Sequence, residues 1–392
     1  MVKTSLAKLS AVIITATFLL ISCQKNDHSL QSVSPDSNKK GKDLSDNLNA
    51  GKKIGHFTQT NLVADVMGWA NHTDPTLINA WGLAWAPSGI AWIGSQGGHV
   101  SDVYNSEGNT VLGPVNIPSP GGSTGGNPTG VVFNSSTGFV LSTGGPARFI
   151  FVGVDGVVSA WNGSKGVNAQ RIATVPVSAF TGVTIAHNGT DTMLYAANFR
   201  AGKINVWSKT WTEVNLPFMD PMIPAGFSPF NIQNIGNMLY VTYAKVGPDG
   251  KSQDGDGLGY VDIYWPNGTL SKRFASKGSL NAPWGVTMAP AGYLTKGDDD
   301  DEDEPSQPTV LIGNFGNGRI NAFTTNGKFL GQLRGDNHQI LSIDELWAIM
   351  FPPSTSTIDQ KRLYFTAGPD EEAHGLFGYL LPKPAEMDDD ND

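Results

Sequence analysis

The stretch Asn79-Ala80-Trp81-Gly82-Leu83 opens a phrase that returns five more times along the chain. Each copy ends in Gly, Asn or Ala followed by Leu, Val or Ile. The other copies are Asn127-Pro128-Thr129-Gly130-Val131, Phe180-Thr181-Gly182-Val183, Pro229-Phe230-Asn231-Ile232, Asn281-Ala282-Pro283-Trp284-Gly285-Val286 and Asp344-Glu345-Leu346-Trp347-Ala348-Ile349. Their small residues stand 48, 52, 49, 54 and 63 residues apart. A period near 50 in an all-strand pattern predicts a β-propeller with four strands in each blade.

A second phrase supports the same period. Residues 198–207 match residues 314–323 at a constant offset of 116. The pairs Asn162-Gly163, Asn267-Gly268 and Asn326-Gly327 each follow a third strand, where Asn-Gly favours a tight hairpin with positive φ angles. We therefore expect antiparallel strands joined by short turns.

Six phrases predict an all-β fold, a six-bladed β-propeller over residues 56–382. The last unit holds three strands, at 346–351, 363–367 and 375–381, and lacks a fourth. A spare strand, Phe57–Val63, precedes the first unit. We expect it to complete the last blade, because an open ring would expose unpaired strand edges.

The composition agrees with such a fold. The chain has 392 residues, 47 of them Gly and 16% charged, which excludes a coiled coil, a helical bundle and a disordered chain. Twelve of its 35 acidic residues lie in the run 298–304 and in the last seven residues. The remaining body is nearly neutral and has no basic stripe, so a nucleic-acid partner is not expected.

The N-terminal residues predict export. Leu9–Ile21 form a 13-residue apolar stretch, too short to span a bilayer and typical of a signal peptide over residues 1–22. It leads to Cys23, the single cysteine, in the context of a lipoprotein cleavage site. We expect lipidation of Cys23, a flexible tether over 23–55 and an acidic disordered tail over 383–392. The predicted location is the bacterial cell envelope, at the outer membrane, with surface exposure as a further hypothesis.

The chain resembles an uncharacterised family of bacterial exported proteins associated with PEP-CTERM sorting. The phrases that carry the resemblance include Ala147-Arg148-Phe149-Ile150-Phe151, Leu239-Tyr240-Val241-Thr242-Tyr243 and His374-Gly375-Leu376-Phe377-Gly378. The resemblance spans about residues 56–381 and implies a six-bladed propeller related to NHL-type repeats, with no established activity. The lipoprotein signal replaces the Pro-Glu-Pro sorting tail of some relatives.

Polar residues at the opening phrases are the candidates for a site at one end of the channel. They are Asn79, Asn127, Asn231, Asn281, Asp344 and Glu345. One interpretation is a divalent metal held by these oxygens, as in gluconolactonase-like propellers, which would polarise a lactone carbonyl. The preferred interpretation is structural, because a residue type that recurs in every repeat more often caps turns than carries chemistry.

Other loop residues offer weaker candidates. Arg200, Asp370 and His374 could form a charged cluster. The segment 249–259 places Asp249, Asp254 and Asp256 in a faint calcium-loop pattern, for which an incidental hairpin insertion is the preferred reading and bound Ca²⁺ the alternative. No other cofactor and no oligomeric state are predicted. The recurring Trp81, Trp284 and Trp347 predict packing between blades.

Two functions follow. The first is a membrane-anchored binding module for a protein or a glycan, and the second is a metal-dependent lactonase-type hydrolase. The sequence contains neither a Gly-x-Ser-x-Gly elbow nor a His-Glu-x-x-His helix. With no acid–base pair visible, the binding module is the favoured prediction, and a channel mouth filled by side chains would support it.

Overall fold

A computed structural model describes residues 54–294 and 308–383, and this part of the chain consists of 26 β-strands and one short 3-10 helix. The predicted signal peptide, Cys23, the acidic run 298–304 and residues 384–392 of the predicted tail lie outside these residues, as does the tether up to residue 53. Within the described ranges no helix has the length and apolarity needed to cross a membrane.

The chain begins with β1 (Ile54–Ala64) and β2 (His72–Thr73), and four antiparallel sheets follow in chain order. Sheet 1 contains β3 (Ala80–Trp85), β4 (Ala91–Ser95), β5 (Val100–Tyr104) and β6 (Thr110–Asn116). Sheet 2 contains β7 (Pro128–Phe133), β8 (Phe149–Gly153), β9 (Val157–Trp161) and β10 (Gln170–Thr174). Sheet 3 contains β11 (Phe180–Asn188), β12 (Asp191–Asn198), β13 (Lys203–Ser208) and β14 (Glu213–Val214). Sheet 4 contains β15 (Phe227–Ile235), β16 (Met238–Val246), β17 (Ser252–Gln253), β18 (Gly259–Tyr264) and β19 (Leu270–Ser276).

The remaining strands form a nine-stranded mixed sheet, sheet 5, together with β1 and β2. They are β20 (Pro283–Ala289), β21 (Thr309–Asn314), β22 (Ile320–Thr324), β23 (Phe329–Gly335), β24 (Leu346–Met350), β25 (Leu363–Ala367) and β26 (Leu376–Pro382). The path through this sheet runs β20-β21-β22-β23-β1-β26-β25-β24. The architecture is therefore all-β and propeller-like, with four sheets that each follow the expected up-and-down order.

The N-terminal strand pairs where the sequence predicted. β1 runs antiparallel to β26 from Phe57 opposite Pro382 to Ala64 opposite Leu376. It also contacts β23 in parallel, with Ile54 opposite Leu333, and this second pairing was not expected. Because β1 has a neighbour on each side, it joins the last two strand groups into one sheet.

The recurring phrase marks the same irregularity in each repeat. Every first strand (β3, β7, β11, β15, β20 and β24) slips in register against its second strand at or beside the phrase. These six strands contact one another in cyclic order, from β3 through to β24 and back to β3. Gly82 and Gly182 show why the position stays small: a Cβ there would lie 2.3 Å from the carbonyl oxygen of Thr129 and 2.0 Å from Asn231 Oδ1, respectively.

The turn chemistry is as predicted in two of three places. Gly268 and Gly327 have φ angles of 84° and 92° in the turns after β18 and β22. The Asn162-Gly163 hairpin prediction was wrong, because Asn162 instead caps the 3-10 helix Gly163–Lys165 by accepting from the Ser164 N–H at 3.2 Å. An Asn side chain that accepts a backbone hydrogen bond favours such a cap over a two-residue turn.

Candidate functional site

Six aromatic side chains, which we call the aromatic plug, fill the centre of the ring at the end where the first strands begin. Trp347 lies in the middle, stacked on Trp81 with ring centroids 3.5 Å apart and on Phe315 at 4.1 Å. Trp284 and Phe230 each contact it with centroids 5.8 Å apart. Phe199 completes the plug, 5.2 Å from Phe230. The predicted packing role of Trp81, Trp284 and Trp347 is thus confirmed.

Below the plug the channel is narrow, with room for about one water molecule. Its walls are the next residues of the first strands, among them Gly82, Gly130, Gly285 and Ala348. Asn231 lines this channel rather than the mouth, where its amide donates to the Trp284 carbonyl at 2.9 Å. Its expected place at the mouth is therefore corrected: Asn231 is a buried structural residue.

Above the plug lies a set of polar side chains that we call the mouth network: Asn79, Gln96, Asn127, Glu345 and Glu372. Asn79 Oδ1 accepts from the Trp347 indole N–H at 2.9 Å, so the network rests directly on the plug. The Asn79 amide donates to Glu372 Oε2 at 2.7 Å and to Gln96 at 3.1 Å. Gln96 in turn donates to Asn127 Oδ1 at 3.2 Å. Two sequence candidates, Asn79 and Asn127, are therefore joined through a residue that the sequence did not single out.

Glu345 joins this network through a backbone bond from the Glu372 N–H. Burial, reinforced by the neighbouring charges of Glu372, Asp344 and Asp254, raises the pKa of Glu345 to about 7. The Lys251 ammonium approaches Glu372 Oε1 at 3.6 Å and is largely exposed. The mouth therefore carries the carboxyl groups of Glu345 and Glu372 and one exposed ammonium that pairs with Glu372.

The loop after β16 reaches the mouth from sheet 4. Asn281 Oδ1 accepts from the Gly255 N–H at 2.8 Å, and the Asn281 amide lies 3.4 Å from Asp256 Oδ1. Burial raises the pKa of Asp254. Asp249 accepts from the Lys251 N–H at 3.0 Å in a local turn. Within the described residues no three His, Cys, Asp or Glu side chains gather in a group that could hold a metal ion, and Ca²⁺ binding stays a prediction.

The predicted cluster of Arg200, Asp370 and His374 forms only in part. His374 Nε2 lies 3.9 Å from Asp370 Oδ2, and the Asp370 N–H donates to Asp344 at 3.1 Å. Arg200 is exposed after β12 and, within the described part of the chain, makes no ion pair or side-chain hydrogen bond with them. The three-residue cluster was therefore wrong in including Arg200, because its loop belongs to sheet 3 and theirs to sheet 5.

The sequence missed two residues beside His374. Asp65 accepts from His374 Nδ1 at 2.8 Å and from the Gly375 N–H at 3.0 Å. The Trp69 ring lies edge-on to His374 with centroids 5.0 Å apart, yet it is 42% exposed. A tryptophan outside the repeats, in the segment that precedes the first phrase, is the signal that could have drawn attention to it. It presents an aromatic surface beside the mouth network.

Comparison with known proteins gives relatives of matching length. The uncharacterized protein R648 of Acanthamoeba polyphaga mimivirus is 31% identical over 338 residues, which cover 81% of this chain and 78% of the viral protein. The uncharacterized protein L690 of the same virus is 32% identical over 330 residues, covering 80% and 82%. The chain belongs to the family of these proteins. No family model matches it. Because these relatives are viral, the resemblance to bacterial exported proteins stays a prediction.

Solved structures with β-propeller-like architecture are similar to this chain. A streptogramin B lyase aligns at a TM-score of 0.49 and 12% identity, covering 86% of this chain and all of the lyase. A gluconolactonase from Xanthomonas campestris aligns at a TM-score of 0.45 and 14% identity, covering 78% of this chain and 86% of the gluconolactonase. The Pan2 WD40 domain of Neurospora crassa aligns at a TM-score of 0.45 and 11% identity, covering 84% of this chain and 97% of the domain. Each TM-score is below 0.5, so the fold described above rests on the strand pairing of this chain itself.

Proposed function

We propose that the protein is a six-bladed β-propeller that acts as a binding module, taking a glycan or a protein ligand at the face formed by the mouth network and Trp69. The observation that carries this proposal is the aromatic plug. It closes the channel under the mouth network, so a ligand at this end meets a surface rather than a deep cleft. The half-exposed Trp69 ring, with His374 and Asp370 beside it, is the kind of aromatic and polar surface that ligands use for stacking and hydrogen bonding.

Three observations support the count of six blades. The phrase recurs six times, each copy coincides with the same slip in register, and the six first strands contact in a ring. On this proposal sheet 5 is two blades joined by β1: β20–β23 form the fifth, and β24, β25, β26 and β1 form the sixth. The N-terminal strand would thus supply the missing fourth strand.

A pair of variants tests the binding face. We expect Trp69→Ala to weaken binding at least tenfold on a glycan array or in capture of envelope proteins, because stacking on this ring is lost. The matched control is Trp265→Ala, whose ring is 51% exposed in the turn after β18, at the opposite end of the strands. Equal effects of the two variants, or binding that neither changes, would contradict the assignment of the face.

The alternative is a divalent-metal-dependent hydrolase of the lactonase type. Metal analysis of the purified domain, combined with a lactone and ester hydrolysis screen, separates it from the binding module. Metal-dependent turnover that is lost in Glu345→Gln would favour the hydrolase. Ligand binding without turnover would favour the binding module.

Membrane anchoring is part of the proposal and rests on the sequence alone. The apolar stretch Leu9–Ile21 and the single Cys23 support a lipid-anchored protein of the cell envelope. Mass spectrometry of the protein made in a bacterial host should find Cys23 at the mature N-terminus and carrying the lipid. A Cys23→Ser variant that stays in the membrane fraction would contradict this anchor.

A further inference from the structure

Sheets 1 and 4 contain the same arrangement of two aspartates. In each, an Asp-Pro turn stands before the first strand, with Asp74 ahead of β3 and Asp220 ahead of β15. The turn carboxylate accepts the N–H two residues on, at 3.0 Å for Asp74 and 2.7 Å for Asp220. A buried aspartate on the third strand faces it, Asp102 on β5 and Asp262 on β18. We call Asp74 and Asp102 the sheet-1 pair, and Asp220 and Asp262 the sheet-4 pair.

A guanidinium neutralises the sheet-4 pair. Arg273 lies opposite Asp262 in the β18–β19 ladder, and it bonds Asp262 through Nε and Asp220 through Nη2. The Arg273 side chain also covers the Tyr260 ring at 4.9 Å. Each aspartate therefore receives a proton donor and a positive charge from one side chain.

The sheet-1 pair has no such partner. In the β5–β6 ladder Leu112 lies opposite Val103, and Val115 lies opposite Ser101. Because the register shifts between these pairs, Gly113 and Pro114 both lie opposite Asp102. A single hydroxyl stands between the two carboxyl groups instead. Thr76 Oγ1 lies 2.7 Å from Asp74 Oδ1 and 2.9 Å from Asp102 Oδ1.

Counting hydrogens shows that this arrangement is one proton short. The Thr76 hydroxyl carries one hydrogen, yet it contacts two carboxyl oxygens at hydrogen-bond distance. Asp74 already accepts from the Thr76 N–H and, at 2.9 Å, from the Tyr104 hydroxyl. Asp102 is 1% exposed, and its Oδ2 has no partner in the described residues. The missing hydrogen therefore belongs on Asp102, the carboxyl group with fewer donors.

We propose that Asp102 is a carboxylic acid in the folded protein at and below neutral pH, and that its proton takes the place that Arg273 holds in sheet 4. Asp102 donates to the Thr76 oxygen, and the Thr76 hydroxyl donates to ionised Asp74. Loss of this proton leaves two close carboxylates, Asp102 buried and Asp74 half-buried, without a cation, and they repel each other.

The charges around the sheet-1 pair agree with this assignment. Burial, reinforced by the charge of Asp74, raises the pKa of Asp102 to about 7, against the opposing bond from Thr76. Burial also raises the pKa of Tyr104 well above its ordinary range, so its hydroxyl serves as a donor. The other titratable groups nearby are engaged elsewhere: His72 bonds the Glu107 carbonyl, and Arg362 bonds Glu107 and Tyr364.

The proton acts at the joint between the N-terminal strand and sheet 1. The Asp74 N–H donates to the Ala64 carbonyl at the end of β1, at 2.9 Å. The segment between β1 and β3 also carries Asp65, Trp69 and Asn79 to the candidate face. Deprotonation of Asp102 therefore destabilises the segment that closes the ring and supports the mouth network.

The pH dependence follows from the two pKa values. Unfolded Asp102 ionises around its ordinary pKa of 3.8, and folded Asp102 around 7. Between these values the folded state holds the extra proton, so its stabilising effect is complete below about pH 4 and is lost as the pH rises to 7. Above that range the contribution is constant.

The test compares melting temperatures at pH 5 and pH 8 in three proteins. The amide of Asp102→Asn donates to Thr76 without ionising. Between pH 5 and pH 8 the Tm of this variant should therefore fall by about 5 °C less than the Tm of wild type. The matched control, Asp262→Asn, removes one of the two carboxylate partners of Arg273 and should lower the Tm at pH 8. Parallel pH profiles of wild type and Asp102→Asn would overturn the proposal.

Two further measurements decide the matter even if Asp102→Asn fails to fold. The carboxyl carbon shift of Asp102 in an NMR titration of wild type reads its protonation directly, separately from Glu345 and Asp262, and an ionised Asp102 at pH 5 would overturn the proposal without any variant. Addition of Ca²⁺ or Mg²⁺ to wild type at pH 8 tests a metal ion in place of the proton. A rise in Tm that Asp74→Asn abolishes would show that a cation lies between the two carboxyl groups, and it would overturn the proposed proton on Asp102. No rise, together with a protonated Asp102 signal at pH 5, supports the proton.

Discussion

Sheets 1 and 4 solve one electrostatic problem in two ways. Both bury an aspartate on the third strand, Asp102 or Asp262, against an Asp-Pro turn. Sheet 4 supplies Arg273 from its fourth strand, whereas the equivalent place in sheet 1 holds Gly113 and Pro114. Burial raises the pKa of Asp262 to about 7 as well, even with the opposing charge of the Arg273 guanidinium beside it. The Asp-Pro turn facing a buried aspartate is thus repeated in both sheets, but the arginine that compensates the negative charge is present only in sheet 4.

The difference teaches that a repeated backbone position does not fix which group compensates the charge of its side chain. In sheet 4 the positive charge is permanent, because a guanidinium does not lose its proton at any physiological pH. In sheet 1 the compensation is a proton, which leaves as the pH rises. The Asp74 turn of the sheet-1 pair also bonds the end of β1, whereas Asp262 and Arg273 of sheet 4 face each other across the β18–β19 ladder.

The largest expected effect comes from removing the sheet-4 cation. Arg273→Met leaves Asp262 buried and unpaired, which should cost about 3–5 kcal/mol in the free energy of unfolding at pH 8. Urea denaturation measures this loss. The control is the double variant Asp262→Asn with Arg273→Met, in which no charge is stranded on β18. If the double variant loses as much as the single one, the unpaired charge is not the cause.

Supplying sheet 1 with a cation should give a smaller effect of the opposite sign. A Cβ added at Gly113 would meet no heavy atom within 4 Å, so the position accepts a side chain. Gly113→Arg should stabilise the protein by about 1–2 kcal/mol at pH 8 and flatten the pH profile, because a charged hydrogen bond then keeps Asp102 ionised. Gly113→Met is the uncharged control. Equal urea midpoints for these two variants at pH 8 would show that the position does not reach the sheet-1 pair.

The mouth network extends the comparison to a third pair of carboxyl groups. Glu345 has a pKa raised to about 7 chiefly by burial, and it bonds the Glu372 N–H. Since Glu345 is partly exposed, solvent screening limits the gain from Glu345→Gln at pH 8 to less than about 1 kcal/mol. At pH 5 the gain should vanish, because Glu345 is then protonated. Chemical denaturation at both pH values checks this, and a loss of stability at pH 8 would contradict it.

The smallest expected effect is at Lys251, the cation of the mouth network. Its ammonium lies 3.6 Å from Glu372 Oε1, and its side chain is 73% exposed. Lys251→Ala should therefore cost about 0.5 kcal/mol or less, and the loss should shrink further in high salt. A cost above about 1 kcal/mol in the same denaturation assay would show that this pair resembles the sheet-4 pair more than an exposed ion pair.

Much of the fold could be predicted because its causes are local. Alternation within short runs, turn residues at 267–268 and 326–327 and the spacing of the six phrases indicate strands and their order. The pairing of β1 with β26 followed from a missing fourth strand. The second pairing, with β23, could not be predicted, since it depends on where the edge of an adjacent repeat lies.

The candidate site was predictable only where it repeats. Asn79 and Asn127 carry the recurring phrase and do meet at the mouth, through Gln96. Gln96 stands directly after the second strand, where Phe199 and Phe315 stand in other repeats, and Glu372 and Trp69 belong to connecting segments, so no recurring residue type marked these three. The same limit explains Arg200, whose distance from Asp370 depends on which blade each loop serves.

The sequence by itself determined the repeat, the small residues at the crowded first strands and the aromatic side chains that became the plug, because each of these recurs with the period of the fold. Only the tertiary structure decided how the buried charges are compensated. Arg273 reaches Asp220 across 53 residues of chain, and Thr76 reaches Asp102 across 26. Such partners meet through strand pairing and loop placement, and these decide whether a guanidinium or only a hydroxyl lies beside a buried carboxyl group.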